Sequence, residues 1–218
     1  MRPWQHAKSS AGKDGRDWRE DLPIHEFLDS TKAANADLRH RMILHNADLG
    51  PALAERVFPL RTGVREIALR HVREDMDFAP TLHHWLSACH VRRLPAPSME
   101  RCGFARNDLV ELLTRQQRLS STDGPAAVAD ILLLPRKLAP AFGDAALAVL
   151  CNSFGPFIVR QILGPPREVR TTGSGFTVFD PAWTAEAMIA WIMGRRIPLL
   201  SEVVSALQRL PEPLEQIA

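Results

Sequence analysis

The chain is short of almost every feature that would by itself name a partner. Basic and acidic residues nearly cancel, 27 against 25 for a formal charge of +2, so no excess of positive charge argues for nucleic acid. Cysteine is sparse. Cys89, Cys102 and Cys151 are an odd number without a CxxC spacing, which argues against a disulfide framework or a zinc ribbon and fits a reducing cytoplasm. No run approaches the ~20 apolar residues that span a bilayer, and the start, MRPWQHAKSS, has no apolar signal core. The expectation is therefore a cytoplasmic protein with no membrane partner. Lysine is scarce as well: Lys8, Lys13, Lys32 and Lys137 are four of the 27 basic residues. With abundant alanine, this is the composition of a GC-rich bacterial or phage gene.

What the chain does have is length and helical patterning. Its 218 residues can bury a core as one body or as two modules of about 100 residues. The spacing predicts helices over 23–34, 37–58, 64–76, 81–89, 107–119, 125–134, 140–163, 181–193 and 198–210, with a β-hairpin over 168–180 around Gly173-Ser174-Gly175. Residues 1–20, with Trp4 and Trp18, read as a docked arm. Pro23 suits a first helical turn, and Pro51 is expected to kink the second helix. The fold class expected is all-α: a His-rich lobe over 1–91, a linker or packed loop over 92–106, and a second helical lobe over 107–218.

Self-similarity supports two lobes. ADLGPALAERVF at 47–58 resembles NSFGPFIVRQIL at 152–163, carrying Gly50 onto Gly155, and PTLHHWLSA at 80–88 resembles PLLSEVVSA at 198–206, carrying Pro80 onto Pro198. In that alignment His25, Asp29, His45, His71 and Asp75 correspond to Asp130, Leu134, Leu150, Ile189 and Met193. The second lobe is expected to lack a site of its own.

Polar chemistry concentrates instead in Leu22–Asn46, LPIHEFLDSTKAANADLRHRMILHN. His25 and Asp29, and again His71 and Asp75, are spaced i, i+4 and so share a helix face. His45 falls within an apolar stripe, while His40 points away from it. Two His/Asp pairs and an inward His on three helices can supply nitrogen and oxygen ligands to a divalent ion such as zinc, manganese or iron. The candidate ligands are His25, Asp29, His45, His71 and Asp75, with His6 or His40 as a further donor. Such an ion can activate water for hydrolysis of a phosphoester or similar bond, with Glu74 or Asp75 as general base and Lys32, Arg39 or Arg41 holding an anion. The same groups can equally be a hydrogen-bonded network that holds the helices together. The chain would then be a non-enzymatic interaction module, associated with a phage or mobile element, binding a protein partner or a second copy of itself. A cluster of His83, His84, Cys89, His90 and Cys102 matches no common zinc spacing.

Four blocks in order, WQHAKSS, DLPIHEFLDSTK, DLRHRMILHN and HVRED followed by a proline and Trp-Leu, make residues 3–86 resemble a family of small bacterial and phage proteins known as a domain of unknown function. Members commonly read HAxxSAxKxGG, IHxWxDxSK, DxRHR and QHVxED. Their hairpin around NSDG is replaced here by Pro59-Leu60-Arg61-Thr62-Gly63. The resemblance supports the choice of residues and brings no reaction with it.

Overall fold

The computed structural model describes residues 1–33, 38–88, 106–117, 123–142, 146, 149–170, 176–193 and 196–206. They are mostly helical. The chain splits into two compact units, the first taking Met1–Arg92 and the last residues from Val204, the second Arg93–Val203.

The first unit opens with α1 (Pro3–Asp14), so the expected arm is itself a helix. Helix α2 (Trp18–Asp29) begins five residues before Pro23. Asp17 accepts a hydrogen bond from the Arg19 amide, and Glu20 and Asp21 sit in the first turn, where negative charge is favoured. Pro23 therefore lies inside the helix, which forgoes one backbone bond there. Two 3₁₀ turns, Ser30–Ala33 and Leu38–His40, lead to the four-residue α3 (Arg41–Leu44).

The single helix expected over 37–58 is broken at His45, well before Pro51. The cause is Asn46. Its side-chain nitrogen donates to the carbonyls of Met42 and Ile43, both at 2.9 Å, and its oxygen accepts from the amides of Asp48 and Leu49 at 3.2 and 2.6 Å. One buried side chain thus closes α3 and opens α4 (Leu49–Val57). Pro51 then falls in the first turn of α4, where a missing N–H costs nothing. Gly50 is required there, because a Cβ would collide with the Leu44 carbonyl oxygen.

The break is pinned to the segment around Pro80. Ala47 donates to the Pro80 carbonyl, Asp48 accepts from the Leu82 amide, and the Trp85 indole donates to the His45 carbonyl at 3.1 Å. The chain reaches that segment through α5 (Val64–Met76), which starts after left-handed Gly63, and continues from it into α6 (Leu82–Ala88). Ile24, Leu28, Met42, Ile43, Leu44, Leu53, Ala68, Val72 and Trp85 fill this unit's core.

The second unit contains α7 (Arg106–Gln117), α8 (Asp123–Phe142), α9 (Phe154–Leu163), α10 (Pro181–Met193) and the start of α11 (Leu200–Ala206), up to Val203. Strands β1 (Arg167–Arg170) and β2 (Phe176–Phe179) pair antiparallel, Arg167 opposite Phe179. The helices expected over 125–134 and 140–163 are divided differently: α8 runs through Pro135 and Pro140 to Phe142, and a separate helix starts at Phe154. Here Asn152 donates to the Val149 carbonyl and accepts from the Phe154 amide, Ser153 donates to the Pro198 carbonyl, and the Ser153 hydroxyl accepts from the Leu200 amide. Its core is apolar, with Val128, Leu132, Cys151, Val159, Ala185 and Ile189 packed together. Most of the linker expected over 92–106 lies outside the described residues, and Arg106 already belongs to α7.

Candidate metal centre

Six segments of the first unit bring their polar residues to one place. Helix α1 supplies His6, Ser9 and Ser10, α2 supplies His25 and Asp29, the break before α4 supplies His45, and α5 supplies His71, Glu74 and Asp75. The 3₁₀ turn and α3 add Lys32 and Arg41. All four imidazoles, His6, His25, His45 and His71, have no solvent exposure.

The two i, i+4 pairs do not bond within themselves. They are crossed. Asp29 Oδ1 lies 3.5 Å from both His45 Nε2 and His71 Nε2, and Asp75 Oδ2 lies 3.3 Å from His45 Nε2. The two Nε2 atoms are themselves 3.0 Å apart. Asp29, His45, His71 and Asp75 thus converge, one ligand atom from each lying within 4.8 Å of every other, and among the described residues they are the one group of this kind. Ligands held at 2.0–2.1 Å in a tetrahedron are separated by about 3.3 Å along each edge. The four separations just given, 3.0–3.5 Å, bracket that value. Neither carboxylate oxygen of Asp29, nor Asp75 Oδ2, nor His45 Nδ1 has a hydrogen bond of good geometry. Buried oxygens in that condition, crowded by two ring nitrogens, form a group that can hold a metal ion.

The protonation states agree. Burial would raise the Asp29 carboxyl, but His45, His71 and Lys32 outweigh it and hold it well below the usual carboxylate range. Asp75 is likewise held down, with His45, His6 and Arg41 outweighing its burial. Burial pushes His71 down to about 4 and, with the neighbouring His71 and His6 rings, His25 down to about 3. At neutral pH the carboxylates are charged and His71 is neutral, the forms that bind a cation.

His25 stands one step behind the ligand group rather than in it. Its Nδ1 is 2.9 Å from His71 Nδ1, and its Nε2 is 3.3 Å from the Ser10 hydroxyl. With His71 donating from Nδ1 and His25 donating onward to Ser10, the lone pair of His71 Nε2 is left facing Asp29 and His45. His6 plays the corresponding part for Asp75. Its Nε2 lies 3.0 Å from Asp75 Oδ1, and its Nδ1 lies 2.7 Å from Glu74, which also accepts from Ser9. Burial would lower the His6 pKa, but these two carboxylates raise it.

The remaining candidates divide clearly. Lys32 Nζ lies 2.6 Å from Asp29 Oδ1, and Arg41 Nη2 lies 3.1 Å from Asp75 Oδ2, with Arg41 Nη1 donating to the Asp75 carbonyl at 2.6 Å. The N-terminal amine is 3.1 Å from Asp75 Oδ1. Glu74 is engaged by His6 and Ser9, and Arg39 is on the turn Leu38–His40. His40 is not on a solvated face. It is buried with its ring edge-on to His45, because the 3₁₀ turn changes the phase that a continuous helix would have. His83 and His84 are exposed, whereas Cys89, His90 and Cys102 lie outside the described residues. Sequence reasoning assigns no part to Ser9, Ser10, Asn46 and Trp85. The i, i+4 spacing of His6 and Ser10 on α1 is the available signal.

Residues 1–94 match the family model of a domain of unknown function, DUF6915. No curated protein and no solved structure matches the chain. Among the described residues, no helix is long and apolar enough to cross a membrane.

Proposed function

We propose that the first unit is a metal-binding helical domain whose ion is held by Asp29, His45, His71 and Asp75. The observation that carries this reading is the convergence of two imidazole nitrogens and two carboxylate oxygens, all within 4.8 Å of one another and four of the separations at 3.0–3.5 Å, with Asp29 Oδ2 buried without a hydrogen-bond partner. A mixed nitrogen and oxygen set suits zinc, manganese or iron(II). His25 and His6 are positioning residues, fixing the ring of His71 and the carboxylate of Asp75. The ion ties α2, the α3–α4 break and α5 together. Metal analysis of untagged protein tests it: near-stoichiometric metal, lost in His71→Ala while the helical circular dichroism survives, is expected, and a metal-free, fully folded wild type would sink it.

Hydrolysis of a phosphoester or similar bond is a second reading, which needs a further coordination position for water. Its support is the placement of Lys32 and Arg41 on the two carboxylates. In the interaction-module alternative, a protein partner or second copy would meet the second unit, where Trp183 is 70% exposed. For the descent of the chain, we infer an internal duplication. The matching Asn46 and Asn152 turns support it, each followed by a Gly-Pro helix and each bonded to a proline carbonyl through the next residue's amide, Ala47 to Pro80 and Ser153 to Pro198. Aligning those asparagines places Cys151, rather than Leu150, opposite His45.

A further inference from the structure

The oxygens offered to the ion are already claimed by cations. Asp29 Oδ1 carries Lys32 at 2.6 Å, and Asp75 Oδ2 carries Arg41 at 3.1 Å. These are the same atoms that lie 3.3–3.5 Å from the ring nitrogens. A divalent ion entering the group competes with both cations for the same lone pairs and then repels them. Counting Asp29, Asp75 and Glu74 against Lys32, Arg41 and the ion leaves an excess of one positive charge with His6 neutral and two with it protonated. The N-terminal amine beside Asp75 adds to that excess. An uncompensated charge in a site this dry is costly.

Two details show where compensation would come from. The imidazoles have no solvent exposure, whereas the side chains of Lys32, Glu74 and Arg41 are 36%, 18% and 14% exposed, so the side chains about the centre that reach water are two cations and one carboxylate. Arg41 Nε is buried with no hydrogen-bond partner. A lysine ammonium, a spare guanidinium donor and a metal ion about one buried centre select a ligand with several anionic oxygens.

We propose that this centre binds its metal together with a phosphate-type oxyanion, Lys32 and Arg41 passing from the carboxylates to the anion as the ion enters. The proposal rests on the metal reading above. It makes metal and anion affinity reciprocal: each tightens the other by the same factor.

The test is a Co²⁺ titration of the full chain followed by visible absorption, in a non-coordinating buffer, with and without inorganic phosphate, and in a third arm with phenyl phosphate. Phosphate is expected to tighten Co²⁺ binding at least tenfold in the wild type and less than twofold in Lys32→Met, with Lys32→Arg keeping most of the effect. Tightening by phenyl phosphate as well identifies a monoester as an acceptable source, and tightening by inorganic phosphate alone identifies the free anion. Co²⁺ binding that ignores both anions, or an enhancement that survives Lys32→Met, overturns the coupling while leaving the metal site standing. A folded protein that takes no Co²⁺ in any arm overturns the metal reading and the coupling with it.

Discussion

Asp29 turns away from His25, its neighbour one helical turn earlier on α2, and reaches across to His71 on α5, Oδ1 to Nε2 at 3.5 Å. His71 in turn uses its other nitrogen on His25, at 2.9 Å. The three residues therefore form a chain that crosses between the helices twice, and each step has a measurable consequence.

If His25 orients His71 rather than binding the ion, His25→Ala keeps the ligand count and loses precision. A fall in metal affinity of about 10- to 100-fold is expected, against loss of stoichiometric binding in His71→Ala. Competition with a chromophoric chelator measures both. Equal losses in the two variants would place His25 among the ligands.

Acid should weaken the metal-free fold. The folded-state values of His25 and His71, about 3 and about 4, lie below the ordinary histidine value of 6.5. The unfolded chain therefore binds more protons between those limits. Stability is fully present above pH 6.5 and falls with pH below it, by up to about 1.4 kcal/mol per pH unit for each residue. Asp29 and Asp75, both held low, contribute stability above their ordinary range near 3.8 that is lost at still lower pH. His6, raised, acts the opposite way: its contribution is complete below 6.5 and disappears as pH rises through its folded value. With two lowered histidines against one raised, the urea midpoint should be lower at pH 5 than at pH 7. An unchanged or higher midpoint would contradict the buried, neutral assignment of the pair.

Asn46→Ala removes the side chain that meets two carbonyls and two amides. Asn46 itself is fully buried, so a loss of about 3 kcal/mol or more is expected from the groups left without it. Because His45 sits beside the break, metal affinity should fall in parallel. Chemical denaturation combined with metal titration reads both effects.

Gly50→Ala and Gly12→Ala form a matched pair. A methyl at Gly50 runs into the Leu44 carbonyl oxygen, whereas one at Gly12, within α1, meets nothing within 4 Å. The first should destabilise by about 1–3 kcal/mol or more, and the second should stabilise by about 0.4–1 kcal/mol through helix propensity. Thermal melts of the two variants decide it.

The helical class and most of the residues at the centre are legible in the sequence, because periodicity reports which positions share a face. It does not show which faces meet. Spacing on one helix suggests that His25 works with Asp29 and His71 with Asp75, whereas the actual contacts run between elements: Asp29 to His71 and His45, Asp75 to His45 and His6, and His25 to His71. The same limit hides the burial of His40. A 3₁₀ turn before α3 and the asparagine at its end reset the helical phase, and both depend on side-chain bonds that hydrophobic spacing does not record. Charge alone marks Lys32 and Arg41 as anion holders. Their seats on the two ligand carboxylates are visible only in three dimensions.

The four proposed ligands are spread along the chain from Asp29 to Asp75, and only His71 and Asp75 share a helix. An ion held there cannot be captured by a partly assembled chain in the same geometry, since α2, the α3–α4 break and α5 must already be packed in register. Metal absorption would then serve as a clock for assembly: in refolding it should appear late, after the helical signal, and mark the moment at which the N-terminal unit acquires its final topology.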